Sequence, residues 1–340
     1  MAKKVKIGVL GAGRIGRLHI TNLVQSVPEA EVVAIADPFL NEDAVAFAQG
    51  LGITKYSKDP QDIFENPEIE AVFVCTSTDA HAEMIQRAAA AGKHVFCEKP
   101  VHTDLNEIRK AIRAVEDAGV KLQVGFVRRF DHNHKKVHDV VASGKLGQPH
   151  IIKVCSRDPD HQPMEYIATS GGIFMDMTIH DFDMVRYLSC SEVTEVCAYG
   201  AALSGQGYDK YNDVDTAIIM LKFENGAIGV IDNSRASHYG YDQRTEVHCD
   251  KGCVQVANDL DDTAMISTNE GVEVAKPTWF FLERYNNAFI QEAKDFCDAI
   301  LHDTAVPVGS KDGLMPVAIA MAAAKSYQEG RSVKLSEILA

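Results

Sequence analysis

The 340-residue sequence has one tryptophan, 11 prolines and no cysteine pair at CxxC spacing. Its eight cysteines (Cys75, Cys97, Cys155, Cys190, Cys197, Cys249, Cys253 and Cys297) are scattered, several inside apolar runs such as Val72-Phe73-Val74-Cys75. They read as buried, reduced thiols, which excludes a disulfide-stapled fold and a thiolate metal site. No stretch approaches the ~18 consecutive apolar residues of a membrane span. Met1-Ala2-Lys3-Lys4-Val5-Lys6 enters a strand-like segment without the hydrophobic region of a secretion signal. Positive charge is scarce as well: 34 Lys and Arg face 48 Asp and Glu, a net charge of -14. That field repels phosphate backbones and anionic lipid. The expectation is a cytoplasmic, reduced protein with no nucleic-acid or membrane partner, acting on a small molecule. Internal repeats and low-complexity tracts are also missing.

What is present is ample core material, 46% hydrophobic residues in a chain of 340. A single core rarely grows past ~250 residues, so two domains are expected. Residues 5–125 alternate short β-branched runs (Val5–Leu10, Val32–Ala36, Ile69–Cys75, His94–Cys97, Leu122–Val124) with helical-period stretches (Ile15–Val24, Ala80–Ala91, Leu105–Ala118). This pattern predicts βαβ units and a doubly wound parallel sheet of Rossmann type. Beyond about residue 149 the texture changes to alternating runs with hairpin turns at Glu224-Asn225-Gly226 and Asp250-Lys251-Gly252. These predict a C-terminal α+β domain with a mostly antiparallel open sheet. Helices are expected near 131–143, 172–189, 286–301 and 313–328, with Pro316 in the first turn of the last. The expected division is 1–125 for the first domain and 126–340 for the second, with the helix near 313–328 free to pack back on the first.

Gly11-Ala12-Gly13-Arg14-Ile15-Gly16 follows a predicted strand and opens a predicted helix. In that context Gly11 makes the tight turn, Gly13 lets the backbone approach a pyrophosphate and Gly16 packs helix on strand, while Arg14 and Ile15 begin the anion-binding helix N-terminus. Asp37 ends the second strand 21 residues after Gly16. A carboxylate there accepts from ribose hydroxyls and repels a 2′-phosphate, which favours NAD over NADP.

Two further clusters carry chemistry. Glu98-Lys99-Pro100 closes a strand at the carboxyl edge of the parallel sheet, where ligands of such folds gather. Lys99 is therefore either a catalytic cation or an ordinary surface lysine. Thr76 and Ser77, in a strand-end loop entering a helix, suit cofactor contacts, and His81 behind them packs or caps. The second cluster, Gly171 to Asp183, places Asp176, His180 and Asp183 at i, i+4 and i+7 of the predicted helix. An imidazole flanked by carboxylates suits proton transfer. A solvated acidic face and a metal site are the alternatives; no further ligand accompanies the trio, so no metal is expected.

Together the strand–GxGxxG–helix, Asp37, Glu98-Lys99-Pro100 and Asp176-x-x-x-His180 resemble the Gfo/Idh/MocA oxidoreductase family across the whole chain. Ser156-Arg157-Asp158-Pro159, the segment from Ser170 to Met184, Asn233-Ser234-Arg235 and Tyr239 to Arg244 look like its inositol-oxidising members. The resemblance implies a Lys99, Asp176 and His180 catalytic group, NAD as cofactor, and Arg129, Asp158 and Tyr239 lining the substrate pocket beside the first three. It also implies a homotetramer paired through the C-domain sheet. The substrate it implies is a polyol or sugar, foremost myo-inositol oxidised to 2-keto-myo-inositol, with scyllo-inositol, glucose or another aldose as alternatives. A non-catalytic NAD-sensing protein could keep the glycine loop but has no use for the catalytic group. For the dehydrogenase reading, Lys99 and the Asp176/His180 segment must converge on the nicotinamide.

Overall fold

The computed structural model describes residues 3–340. Two units compose it: residues up to 127 with 287–317, and residues 128–286 with 318–340. In the first unit, six strands form a wholly parallel sheet: β1 (Val5–Leu10), β2 (Ala30–Ala36), β3 (Tyr56–Ser57), β4 (Ala71–Val74), β5 (His94–Glu98) and β6 (Leu122–Gly125). Their order is β3-β2-β1-β4-β5-β6. Strands β1 and β4 are almost wholly buried, as apolar runs covered on both sheet faces must be. Helices Arg14–Ser26, Thr78–Ala90 and Leu105–Ala118 supply crossovers. The last is capped by Asp104 at its start and ends on Gly119 in the left-handed region.

Register decides what this sheet presents. Leu10 pairs with Ala36 on one side and Val74 on the other, and Val74 pairs with Cys97. Gly11, Asp37 and Cys75 follow these residues out of the sheet, and Glu98, the last residue of β5, ends the same carboxyl edge.

The first unit runs to residue 127, two residues past the expected division at 125/126, and also takes in residues 287–317. The helix Asn286–Leu301 returns to the first unit, where Phe296 lies edge-on to Phe73 and Phe96 at 5.7 and 6.1 Å between ring centroids. Its buried stripe of Ala293, Phe296 and Cys297 joins the core of β1 and β4. A boundary read from a change of texture follows the chain and is blind to a segment that comes back.

The second unit is built on a seven-stranded sheet in which β7 (Pro149–Arg157), β8 (Val193–Ala201), β9 (Thr216–Phe223), β10 (Ile228–Ser234), β11 (Asp242–Cys249), β12 (Gly252–Val256) and β15 (Val333–Lys334) run in the order β12-β11-β7-β10-β9-β8-β15. Every neighbouring pair is antiparallel except β7 and β10. A separate hairpin joins β13 (Met265–Ser267) to β14 (Val272–Val274). Helices His132–Ala142 and Ile179–Ser189 pack on the seven-stranded sheet. On β9 the buried Ala217, Ile219, Leu221 and Phe223 alternate with exposed Ile218, Met220 and Lys222, the period-two pattern of a sheet with one open face.

Two helix expectations change. The single helix expected over 172–189 is two, Ile173–Asp176 and Ile179–Ser189, broken at Met177 and Thr178. The break has a cause: Thr178 is fully buried and its hydroxyl donates to Asn233 Oδ1 at 2.6 Å, tying the turn to β10. The last long helix begins at Ser310, so Pro316 sits in its interior and not in its first turn. Phe296→Ala should lower stability by about 3–5 kcal/mol, the usual cost of truncating a core phenylalanine. Thermal unfolding checks this, and a near-neutral change would detach the returning helix from the first core.

Candidate functional site

At the carboxyl edge of the first sheet, Gly11 has φ +96°, and a Cβ there would lie 2.5 Å from the Cys75 carbonyl oxygen. A Cβ on Gly16 would lie 2.1 Å from the Gly11 carbonyl oxygen, so helix and loop touch at that point. Around Gly13, by contrast, no atom of the described residues lies within 4 Å of where a Cβ would stand. Gly13 is also the N-cap of helix Arg14–Ser26, and no described side chain caps it or places an acid in its first turn. An open, uncapped helix N-terminus fits the pyrophosphate of a dinucleotide. Arg14 and Ile15 are the first residues of that helix. Asp37 accepts from the Ala12 amide at 2.6 Å through Oδ2 and from the Phe39 amide at 2.7 Å through Oδ1, so this carboxylate staples the glycine loop to the end of β2.

Beside the loop, Thr76 is half-buried and Ser77 is exposed as the N-cap of helix Thr78–Ala90. His81 is buried, with Nδ1 2.7 Å from the Pro100 carbonyl and Nε2 3.0 Å from the Thr76 carbonyl. Burial pulls its pKa down. It braces the Thr76 loop against the turn that carries Lys99, in keeping with packing rather than reaction. Glu98 and Lys99 end β5 half-buried; Glu98 Oε1 lies 2.7 Å from His19 Nε2, and Oε2 accepts from the Lys99 amide at 3.3 Å.

In the second unit the helix break removes the i, i+4, i+7 face expected for Asp176, His180 and Asp183. Asp176 ends the short helix and His180 lies in the first turn of the next, both half-buried. Asp176 Oδ1 accepts from the Tyr166 hydroxyl at 2.6 Å and Oδ2 from Arg235 at 2.9 Å. Asp183 is elsewhere engaged: Arg129 grips it through two bonds of 2.7 and 2.6 Å, and Arg186 stands 3.7 Å away. Arg129, expected at the substrate, thus turns its fork to Asp183 and lies 5.1 Å from the Tyr187 ring centroid.

Asp158 is half-buried, and its carboxyl is pushed up to about 6, chiefly by burial, with Arg235 and Arg128 opposing and Asp176 and Asp181 adding to the rise. The Tyr239 hydroxyl donates to Asp242 at 2.6 Å and accepts from Arg157 at 3.1 Å.

The family model for the oxidoreductase family with an NAD-binding Rossmann fold matches residues 5–126, and that for the GFO/IDH/MocA C-terminal domain matches residues 134–255. The chain belongs to the GFO/IDH/MocA oxidoreductase family. Within the family, it is 45% identical over 335 residues to the uncharacterized oxidoreductase YrbE of Bacillus subtilis, covering 98% of each chain. It is 44% identical to the myo-inositol 2-dehydrogenase of Thermotoga maritima, covering 98% of this chain and all of that one. The crystal structure of scyllo-inositol dehydrogenase from Lactobacillus casei with NAD(H) and scyllo-inositol superposes with a TM-score of 0.91 at 29% identity, covering 98% of this chain and 100% of that one.

The family's second domain here owes its order to a buried polar network that reading by motif missed. Arg128 donates to Asp181 at 2.6 Å and to Ser156 and Tyr241 at 3.2 Å, and Asn233 donates to the other Asp181 oxygen at 2.8 Å. This anchors the Asp176–His180 segment to β7, β10 and β11. Arg235, fully buried, and Tyr166 are the residues that fix Asp176. Arg235 stood in a stretch of family likeness, but nothing in its spacing announced a partner 59 positions away.

Asp37→Ser should narrow the preference for NAD over NADP in steady-state assays. Because the Ala12 amide would then have no carboxylate to donate to, the same change should cost about 1 kcal/mol of stability; an unchanged cofactor preference removes Asp37 from the ribose site. For Asp158, a folded pKa near 6 above the ordinary 3.8 means that the folded state holds the proton more tightly, so its contribution declines as pH rises from about 4 to 6. Asp158→Asn should therefore stabilise the protein by about 1–3 kcal/mol more at pH 8 than at pH 4. Chemical denaturation at the two pH values tests it, and equal effects would contradict the raised carboxyl.

Proposed function

We propose that this protein is an NAD-dependent dehydrogenase of cyclic polyols whose foremost reaction is the oxidation of myo-inositol to 2-keto-myo-inositol. The observation that carries the reading is full-length likeness to relatives named for inositol oxidation, at 44% identity for the Thermotoga maritima enzyme, in a chain whose dinucleotide edge is intact. Oxidising a secondary alcohol removes one hydride and one proton. NAD, when bound, supplies the hydride acceptor. The chain's residues do the rest. Gly11, Gly13, Arg14, Ile15 and Gly16 hold the phosphates, Asp37 the adenosine ribose, and Thr76, Ser77, Glu98 and Lys99 flank the cofactor, with His81 bracing them.

His180 takes the hydroxyl proton as the carbon–hydrogen bond breaks, Asp176 orients its imidazole, and Lys99 holds the substrate oxygen. Asp176 is suited to this because Tyr166 and Arg235 fix its carboxylate before substrate arrives, so little reorganisation falls within the reaction. A ring polyol presents many hydroxyls. Asp158, with a pKa near 6, can donate or accept among them, and Arg129 and Tyr239 complete the polar contacts. Scyllo-inositol is the second reading, favoured by the likeness to the Lactobacillus casei enzyme bound to it.

We further infer a homotetramer paired through the C-domain sheet, whose β8, β9 and β10 leave Tyr199, Ile218, Met220 and Ile228 exposed. An apolar row of this kind is what a second copy would cover. The eight unpaired cysteines suit a reducing compartment, and the cytoplasm is the location we assign.

His180→Ala should lower kcat with myo-inositol by roughly 10²–10⁴-fold, the range of a lost general base, while the KM for NAD stays within about threefold. An unaltered rate removes His180 from the reaction. In a panel of myo-, scyllo- and chiro-inositol, glucose and xylose with NAD or NADP, NADH absorbance should rise fastest with myo-inositol and NAD. No reduction with any of them would favour an NAD-sensing binding protein.

A further inference from the structure

Glu292 lies on the helix that returns to the first unit, and its side chain is fully buried. Neither of its carboxyl oxygens has a hydrogen-bond partner among the described residues. Its neighbours are His19, on the helix after the glycine loop, and Glu98, at the end of β5; one nitrogen or oxygen of each of the three lies within 4.8 Å of the other two. Glu98 is well supplied with donors, from His19 Nε2 at 2.7 Å and the Lys99 amide at 3.3 Å. The Glu292 carboxyl is supplied with none of them.

The surroundings allow little else. Phe73, Phe96 and Phe289 meet the His19 ring at centroid distances of 5.6, 5.1 and 5.6 Å, and Gln123 donates to the backbone carbonyl of Glu292 at 2.8 Å. Other titratable groups near the cluster include the thiols of Cys75 and Cys97, which burial holds well above the ordinary range with the Glu98 charge adding, and the imidazole of His81, which burial pulls down against the opposing Glu98 charge. Gly125 leaves room for the acid next to it, since a Cβ there would stand 3.2 Å from Glu98 Oε2. An ionised carboxylate without a partner costs several kcal/mol in such a place, and two close carboxylates do not ionise together. Burial, and then the charge of Glu98, push Glu292 well above the usual carboxylate range.

We propose that Glu292 is a positioning residue for the dehydrogenase reaction: it stays protonated beside Glu98, and its neutrality leaves Glu98 as the ionised carboxylate that faces His19 and on which the backbone of Lys99 rests. The consequence for turnover depends on the role given to Lys99 above; the proton on Glu292 does not. The second cluster with metal-like spacing, Asp131, His132 and Asp259, is different in kind, because Arg284 meets Asp131 at 2.6 Å and Asp259 at 3.0 Å and neutralises it.

Infrared spectra of the full-length protein at neutral pH should contain the carbonyl band of a protonated carboxylic acid that Glu292→Gln removes. Glu292→Leu should lower kcat about tenfold at unchanged KM for NAD, and Glu292→Gln, which keeps shape and neutrality, should recover most of that loss. The glutamine variant should also move the alkaline limb of the kcat–pH profile upward, because an amide has no proton to give up. That limb and the infrared band decide the matter if the leucine variant does not fold. Lys99→Met separates the proton on Glu292 from the role of Lys99: it should abolish turnover while leaving the band in place. The proposal is overturned if no such band exists, if Glu292→Leu folds with wild-type turnover and pH profile, or if the purified protein holds a stoichiometric divalent cation that Glu292→Gln releases.

Discussion

Parallel pairing of β1 with β2 and β4, and of β4 with β5, is the constraint on which the rest of the first unit depends. Because Leu10, Ala36, Val74 and Cys97 are in register, the chain leaves β1, β2, β4 and β5 at the same edge, and four stretches far apart in sequence become neighbours. Glycine is then required where backbone meets backbone, at Gly11 against Cys75 and at Gly16 against Gly11. The bond from the Ala12 amide to Asp37 closes the loop onto β2. A one-residue slip in this sheet would displace the glycine loop, Asp37 or Lys99 from that common edge.

In the second unit, buried polar groups join apolar packing in ordering the candidate chemistry, where Ile173, Ile179 and Phe182 are fully buried. Arg128, Asp181, Asn233 and Thr178 are all buried and bonded to one another or to the strands. A buried ion pair contributes little net stability, since desolvation offsets most of the attraction, yet breaking it leaves an uncompensated charge. Such a network suits a segment whose geometry matters more than its stability. It forces the helix to break at Thr178 and so sets where Asp176 and His180 stand.

Much of this was legible in the sequence, and the failures share a cause. Five of the six strands of the first sheet, all but the two-residue β3, together with the tight turn at Gly11, the close packing at Gly16 and the placing of Asp37, rest on short-range chemistry, which local pattern records. Strands β7 and β8 and the break at Met177–Thr178 escaped because the first two lack sharp turn signals and the third is imposed by Asn233, 55 positions on. The expected Asp176/His180/Asp183 face assumed an unbroken helix, and the pairing of Asp183 with Arg129 spans 54 positions. The helix Asn286–Leu301 was expected, but its return to the first unit and the burial of Glu292 were invisible for the same reason, as a buried acid on an amphipathic helix looks like any exposed one until its neighbours are known.

Everything proposed for the reaction turns on direct hydride transfer from a polyol carbon to a nicotinamide bound at the edge built by Gly11, Gly13, Gly16 and Asp37. The most direct test is to incubate the protein with NAD and myo-inositol deuterated at C2 and locate the label by NMR. Direct transfer predicts deuterium at C4 of the nicotinamide in NADH, in step with ketone formed. Ketone formation with the deuterium released to solvent, or no transfer from any inositol, would contradict it.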